Sequence, residues 1–340
     1  MKPLHFFDKL IFLINSLVAT LLLLSYALPF VPPKTFSFLA VLSLAVPFLI
    51  IINLIFCLFW VLKLKKQFLL SGLVLALGFG HLTSLYNFSR ENGQSSNDTL
   101  SLMSYNVRLL NLYDWIDDDA IPEKIQDFIE QAAPDILSVQ EYNSGIAKKT
   151  IYPYVFNSNS KTKSELAIFS KFPFLNTGII KFPNSANSAI FADILVKNDT
   201  LRVYNIHLQS SGINPNVKQL DSETSDRLFK RISKTFEAQQ YQAELVLKHM
   251  NKSPYKTILN GDFNNTTHSY VYRLLRSNFD DAFDIAGKGF GRTYSFDFFP
   301  LRIDFILVDK TLKIVDFQTH NVRYSDHFPI STILELRKKK

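Results

Sequence analysis

Cysteine is almost missing: one thiol, Cys57, stands in 340 residues. Neither a disulfide framework nor a multi-cysteine zinc or iron–sulfur site is available to such a chain. Cys57 lies in an apolar stretch and reads as a buried packing residue. Glycine is sparse at 11 residues, and no glycine-rich phosphate loop occurs. No pattern sets up a serine or cysteine nucleophile. Acidic residues are scarce at one end. The first 90 residues hold only Asp8, against Lys2, Lys9, Lys34, Lys63, Lys65, Lys66 and Arg90. The remaining 250 carry 30 basic and 29 acidic side chains, so the net charge of +7 belongs mostly to the N-terminal part. A nearly neutral downstream domain has no electrostatic footprint for avid duplex binding. With 47% apolar residues, disorder is also excluded.

What the chain does have is apolar length. The stretches 10–30, 36–62 and 68–88 are uncharged, and each is long enough to cross a hydrocarbon core of roughly 30 Å as a helix. They predict three transmembrane helices, since a cleaved signal would be shorter and stand alone. Pro47 and Asn53 in the second stretch and His81 in the third read as a kink and helix contacts. An N-terminus inside places five of the seven early basic residues in the cytoplasm. Three crossings then put everything after Arg90 on the far side, most simply of the cell (inner) membrane. Residues 91–98 contain no apolar side chain and read as a linker, 99–336 as one folded domain, and 337–340 as a solvated basic tail able to touch anionic head groups.

Within 99–336, apolar runs at 100–107, 135–140, 166–170, 189–196, 201–207, 255–259 and 303–308 predict buried strands, and 122–132 and 226–250 predict amphipathic helices. No repeat is found, and 209–225 reads as a surface loop. Nearly every predicted strand ends in a side chain with chemistry: Asn106, Glu141, His207, Asp262 and Asn264, Asp304, and the pair Asp326 and His327. Strand ends in α/β architectures converge on one rim, so these residues are candidates for one pocket. Their oxygens suit Mg²⁺, Mn²⁺ or Ca²⁺, their imidazoles suit a phosphate, and a carboxylate there orients water. Asp193, Asp221 and Asp284 fit no such pattern and read as solvated or turn carboxylates.

The order Met-Ser-Tyr-Asn-Val (103–107), Pro-Asp-Ile-Leu-Ser-Val-Gln-Glu (134–141), Asn-Ile-His-Leu (205–208), Asn-Gly-Asp-Phe-Asn (260–264), Arg-Ile-Asp-Phe-Ile (302–306) and Tyr-Ser-Asp-His-Phe-Pro (324–329) resembles the endonuclease/exonuclease/phosphatase superfamily. That superfamily includes deoxyribonucleases, abasic-site endonucleases, neutral sphingomyelinases and inositol polyphosphate phosphatases. The resemblance implies an α/β four-layer sandwich, with two mixed β-sheets flanked by helices and the site at one edge. It makes Glu141 the principal metal ligand, with Asn106 beside it and Asp326 available to the metal region. Asp262 would orient or deprotonate water, and Asn264 would hold that water or a phosphate oxygen. His327 would face the scissile phosphate with Asp304 holding its imidazole, and His207 would contact another phosphate oxygen. Glu165, at the start of a strand, is where some nuclease members carry a partner for the first histidine, here His207.

The implied activity is Mg²⁺-dependent phosphodiester hydrolysis by in-line water attack, with Mn²⁺ or Ca²⁺ as alternatives and an endonuclease as the leading reading. A lipid head-group phosphodiesterase or phosphatase, sphingomyelinase-like, is the alternative, and an inactive tethering domain the third. The expected partners are a phosphoester substrate, nucleic acid or lipid, and the bilayer, with no protein partner. Selectivity is expected in loops 108–121, 142–163, 209–225 and 265–301, where the aromatics Phe283, Phe290, Tyr294, Phe296, Phe298 and Phe299 are most simply packing residues.

Overall fold

A computed structural model describes residues 5–88, 98–147, 150–158, 163–212, 225–296 and 299–336. Residues 91–97 of the expected linker 91–98, residues 213–224 of the expected loop 209–225, the tail 337–340, Arg90 and Phe298 lie outside the described residues, and Asp221 with that loop. The N-terminal part is helical: α1 (Phe6–Ser25), α2 (Pro33–Val41), α3 (Val46–Leu62), α4 (Phe68–Leu77) and α5 (Phe79–Leu85). Two helical stretches, Phe6–Phe30 and Pro33–Leu62, are long and apolar enough to cross a membrane. The expected third crossing is a bent pair, α4 and α5, meeting at 77°, a third span when the two are taken together. Gly78 sits at the break because the Tyr26 ring occupies the place a Cβ would need, 2.0 Å away. Pro47 stands in the first turn of α3, where its missing N–H costs little, directly after a tighter helical turn at Leu42–Ala45.

Polar contacts fix the register of these apolar helices. Asn15 donates to Ser71 Oγ (2.6 Å), Ser71 Oγ donates to Asn53 Oδ1 (3.0 Å), and Trp60 Nε1 donates to Asn15 Oδ1 (2.9 Å). These bonds tie α1, α3 and α4 together. Asp8 pairs with Lys63 at one end of the bundle, and Cys57 is half-buried against the same apolar cluster.

The rest is a sandwich. One sheet runs β11-β12-β1-β2-β4-β3 and the other β5-β6-β7-β8-β10-β9. In the first, β1 is Thr99–Asn106, β2 Ile136–Tyr142, β3 Tyr154–Asn157, β4 Glu165–Ser170, β11 Lys313–Thr319 and β12 Ile330–Glu335. In the second, β5 is Phe174–Lys181, β6 Ser188–Val196, β7 Asp199–His207, β8 Lys256–Asp262, β9 Phe279–Asp281 and β10 Asp304–Asp309. Only β1–β2 and β7–β8 pair in parallel; every other neighbouring pair is antiparallel. Helix α6 (Ile121–Ala132) packs Ile121 and Ile125 on the outer face of the first sheet. On the outer face of the second lie α7 (Ser225–Met250) and α8 (Tyr270–Arg276), through Ala243, Val246, Val271 and Leu275. A short α9 (Ala282–Ala286) closes one end of the core between the sheets.

The two halves are joined by contact. Lys34 N–H donates to Gln240 Oε1 (2.9 Å), its ammonium pairs with Glu244, and Ala40 and Val41 pack on Ile232 and Phe236. Asn87 and Gly289 exchange backbone hydrogen bonds at 2.9 Å each. Phe299 is buried in the helical bundle, its ring 5.0 Å from that of Phe48, with Phe296 and Leu301 packed beside it.

Candidate active site

Alternation along the strands builds the site. Every second residue of a strand points the same way, and the inward positions turn from apolar to polar as the strands approach one rim. In β1 the series is Leu100, Leu102, Ser104, Asn106; in β7 it is Leu201, Val203, Asn205, His207; in β8 it ends Ile258, Asn260, Asp262. Because β1 and β2 run parallel, Asn106 stands level with Gln140, next to Glu141. The parallel pair β7–β8 sets His207 opposite Asp262, and antiparallel β10 brings Asp304 opposite Asp262 as well. His327 arrives just before β12, on the same rim.

Asp262 is the hub. It is buried, and its Oδ2 accepts from Asn106 Nδ2 and from Asn264 Nδ2, each at 3.1 Å. Its Oδ1 accepts from the Asn264 N–H (2.7 Å), a turn in which Asn264 takes a left-handed φ of 50°. The Nε2 atoms of His207 and His327 each stand 3.7 Å from Asp262 Oδ2, too far for a hydrogen bond, so both face the same space with that edge free. His207 Nε2 is buried without a hydrogen-bond partner. His327 Nδ1 is held by Asp304 at 2.9 and 3.1 Å, and the Tyr294 ring packs edge-on against the imidazole. Burial works against an imidazolium at His327, but Asp304 and Asp262 overcome it and lift its pKa to about 10. Burial pushes Asp262 up to about 6, opposed by the two histidines. At neutral pH the pair is therefore carboxylate and imidazolium.

Glu141 sits where β2 slips register against β4, at φ 50°, which turns its carboxylate into the rim. Asn106 Nδ2 donates to its Oε1 (3.2 Å), and His207 Nε2 lies 3.8 Å from the same oxygen. Asn106 Oδ1 accepts from the Arg108 N–H (3.1 Å), so ligation of a cation by that oxygen requires the amide to turn over. Asp326 is half-buried and engaged by Arg108 Nε (3.3 Å) and Ser325 Oγ (3.3 Å). Among the described residues, the carboxylate–imidazole group tight enough to hold a metal is Asp262, Asp304 and His327, with ligand atoms within 4.8 Å. Asp304 and His327 already satisfy each other in it. Glu141, partly exposed and with one oxygen uncommitted, is the better place for a hard cation.

Eight of the nine expected residues thus share one rim. Glu165 behaves differently: it lines a cleft of about 590 Å³ together with His207, but the two form no hydrogen bond, and Glu165 Oε2 is buried without a partner. The anticipated Glu165–His207 pair is absent. Asp193 and Asp284 are not solvated. Asp193 is 2% exposed and grips Arg202 across β6 and β7 at 2.5 and 2.7 Å. Asp284 binds Arg302 (3.1 Å) and Arg276 (2.8 Å). Of the described aromatics in 283–299, Phe283 and Phe299 are buried, Phe296 packs on the bundle, Tyr294 backs His327, and Phe290 is exposed.

Several residues escaped the sequence reading. Arg108 opens a run of four left-handed non-glycine residues, 108–111, that folds its guanidinium between Asp326 and the Trp115 ring (4.4 Å). Beneath the rim, Gln140 Nε2 donates to Asn205 Oδ1 (2.6 Å) and to Ser104 Oγ (3.1 Å), cross-linking the sheets. Gln140 and Asn205 lay within the motifs, and their inward parity was the available signal.

The sequence profile of the endonuclease/exonuclease/phosphatase family matches residues 103–327, a span that begins in β1 and ends on His327. The chain belongs to the endonuclease/exonuclease/phosphatase family. Family membership makes it a phosphoester hydrolase, in a family whose enzymes depend on divalent metal. Residues 8–85 match a second profile, of a domain of unknown function. No curated relative matches the chain. Among solved structures, Danio rerio TDP2 complexed with a single-strand DNA product is similar at 18% identity and TM-score 0.54, over 70% of this chain and 99% of that one. An endonuclease/exonuclease/phosphatase family protein from Bacteroides thetaiotaomicron is similar at 19% and 0.55, over 71% and 98%. A mannosyl-6-phosphatase from the same organism is similar at 19% and 0.51, over 69% and 99%. At these identities the likeness is one of fold, two mixed sheets flanked by helices.

Proposed function

We propose that this chain is a membrane-anchored, Mg²⁺-dependent phosphodiesterase of endonuclease-like chemistry, with residues 1–90 as membrane part and 99–336 as catalytic part. The N-terminus would lie in the cytoplasm and the catalytic part across the cell membrane, the orientation that the basic residues favour. The observation that carries the activity is the convergence of two imidazole edges and one buried carboxylate oxygen on a single point, 3.7 Å from each Nε2.

In this reading Asp262, fixed by Asn264 and Asn106, orients the attacking water and takes its proton. His327, charged because Asp304 stands behind it, donates to the phosphoryl oxygen that gains charge in the transition state. His207 Nε2, with no protein partner, is free for a second oxygen. The hard oxygens at Glu141, with Asn106 and Asp326 nearby, fit a divalent cation, which when bound would neutralise the substrate's charge.

The test is initial rates for the full-length protein in detergent, with Mg²⁺ or EDTA, on single-stranded DNA, RNA, phospholipid vesicles and a sugar phosphate. Asp262→Asn is expected to lower turnover by about 10²–10⁴-fold without changing the unfolding temperature. Full activity in EDTA, or in that variant, would remove the reading. A lipid head-group phosphoester is the second reading. One feature favours it: Tyr294, on His327, and Phe299, in the helical bundle, are five residues apart, which keeps the site within about 18 Å of the bundle.

A further inference from the structure

Away from the catalytic rim, a cleft of about 590 Å³ opens at the junction of helices and sandwich. One wall is the end of the bundle nearest the sandwich: Phe30 after α1, Leu77 at the end of α4, and α5. The other is the catalytic part: α8, the start of β9, and Lys310 after β10. Phe30 and Leu77 are 60% and 65% exposed, so the rim of the cleft is apolar where it meets the bundle's outer surface. The facing wall is basic. Arg273 lays its guanidinium 4.0 Å from the centroid of the Phe30 ring and has no carboxylate partner among the described residues. Lys310 also lacks one, Arg276 is paired with Asp284 at 2.8 Å, and Asp280 is the single acid lining the space.

An apolar lip continuous with the apolar helices, with the Arg273 guanidinium against it and Lys310 lining the same cleft, matches the two ends of a phospholipid: acyl chain along Phe30 and Leu77, phosphate on Arg273 and Lys310. A cation held over an aromatic face keeps its donors free for an anion. Two unpaired basic side chains, Arg273 and Lys310, against one acid, Asp280, favour an anionic head group. We propose that this cleft is a binding site for an anionic phospholipid, separate from the catalytic rim and independent of its chemistry. A lipid held there bridges α1, α4 and α8, joining the catalytic part to the bundle through the membrane's own components.

The experiment uses the full-length protein in detergent, titrated with phosphatidylglycerol and, in parallel, with glycerol 3-phosphate. Bound lipid is counted by native mass spectrometry and thermal unfolding is followed alongside. The wild type is expected to retain phosphatidylglycerol and to unfold at higher temperature with it. The double variant Arg273→Ala/Lys310→Ala is expected to bind it roughly tenfold or more weakly, at about fivefold per near-surface cation. Lys256→Ala, a cation at the start of β8 that pairs with Asp199, is expected to bind as the wild type does. Asp280→Asn is expected to bind more tightly, and this gain keeps the proposal testable if the double variant fails to fold. Unchanged affinity in the double variant, no gain in Asp280→Asn, or glycerol 3-phosphate binding as tightly as the lipid would each overturn it.

Discussion

At the scale of single residues, buried charge is handled by pairing, and the pairs explain what substitutions do. Arg302 is buried between the rings of Phe283 and Phe305, its guanidinium on Asp281 (2.7 Å) and Asp284 (3.1 Å). Removing it leaves the buried Asp281 without its cation, while Asp284 keeps Arg276. Arg302→Met is expected to cost about 3–5 kcal/mol in chemical denaturation, and adding Asp281→Asn is expected to recover part of that. His268 is a second case. It is fully buried, hydrogen-bonded through Nδ1 to His81 Nδ1 (3.2 Å), and burial, with His81 and Arg302, lowers its pKa to about 3. The folded protein holds it neutral while the unfolded chain takes up a proton below about 6.5. Its contribution to stability is therefore complete above about 6.5 and declines toward pH 3, by up to about 1.4 kcal/mol per pH unit. Unfolding followed from pH 7 to 5 is expected to show this slope in the wild type and a flatter one in His268→Gln. The candidate site residues were legible in the sequence because polar and ionisable types recur, in order, at the ends of otherwise apolar strands. It concealed Asp193 and Asp284, whose partners lie 9 and 18 residues away and meet them only through strand register or loop closure.

At the scale of elements, two strands decide where Asp262 points. Gly261 adopts φ 132°, and a Cβ there would lie 2.1 Å from the Ile206 carbonyl oxygen of the neighbouring strand. Gly261→Ala must part β7 from β8 at the position that aligns His207 with Asp262. A loss of about 1–3 kcal/mol is expected in unfolding measurements, with about 100-fold lower turnover because Asp262, the proposed base, moves against the histidines. The strands that carry motifs were readable from apolar runs, since β1, β2, β4, β6, β7, β8 and β10 are buried along most of their length. The edge strands β3 and β5 and the short β9 were not, because exposed or mixed positions blur the alternation. β11 and β12 lie beyond the last long apolar run and depend on β1 for their place. The third hydrophobic stretch had the length of a span, but only tertiary contact with Tyr26 at Gly78 explains why it breaks.

At the scale of the whole molecule, the catalytic part does not end where its sequence motifs do. Ile232, Phe236, Phe299 and Leu301 meet the N-terminal helices, and Asn87 extends an exchange of hydrogen bonds to Gly289. A fragment starting at residue 98 exposes these apolar faces. It is expected to unfold at lower temperature than the full chain and to self-associate in light scattering, with a Phe236→Ser change reducing the association. The same contacts bear on catalysis through the segment from Thr293 to Leu301. Thr293 Oγ1 receives the Asp304 N–H (3.1 Å), Ser295 N–H holds the Asp326 carbonyl (2.7 Å), and Phe299 is lodged beside Phe48. One short stretch of chain thus touches both the charged end of the site and the apolar end of α3. If the helices span a bilayer as proposed, whatever moves the end of α3 that carries Phe48 also pulls on the backbone that supports Asp304 and Asp326, so the mechanical setting of the bundle becomes a variable of the reaction alongside pH and metal.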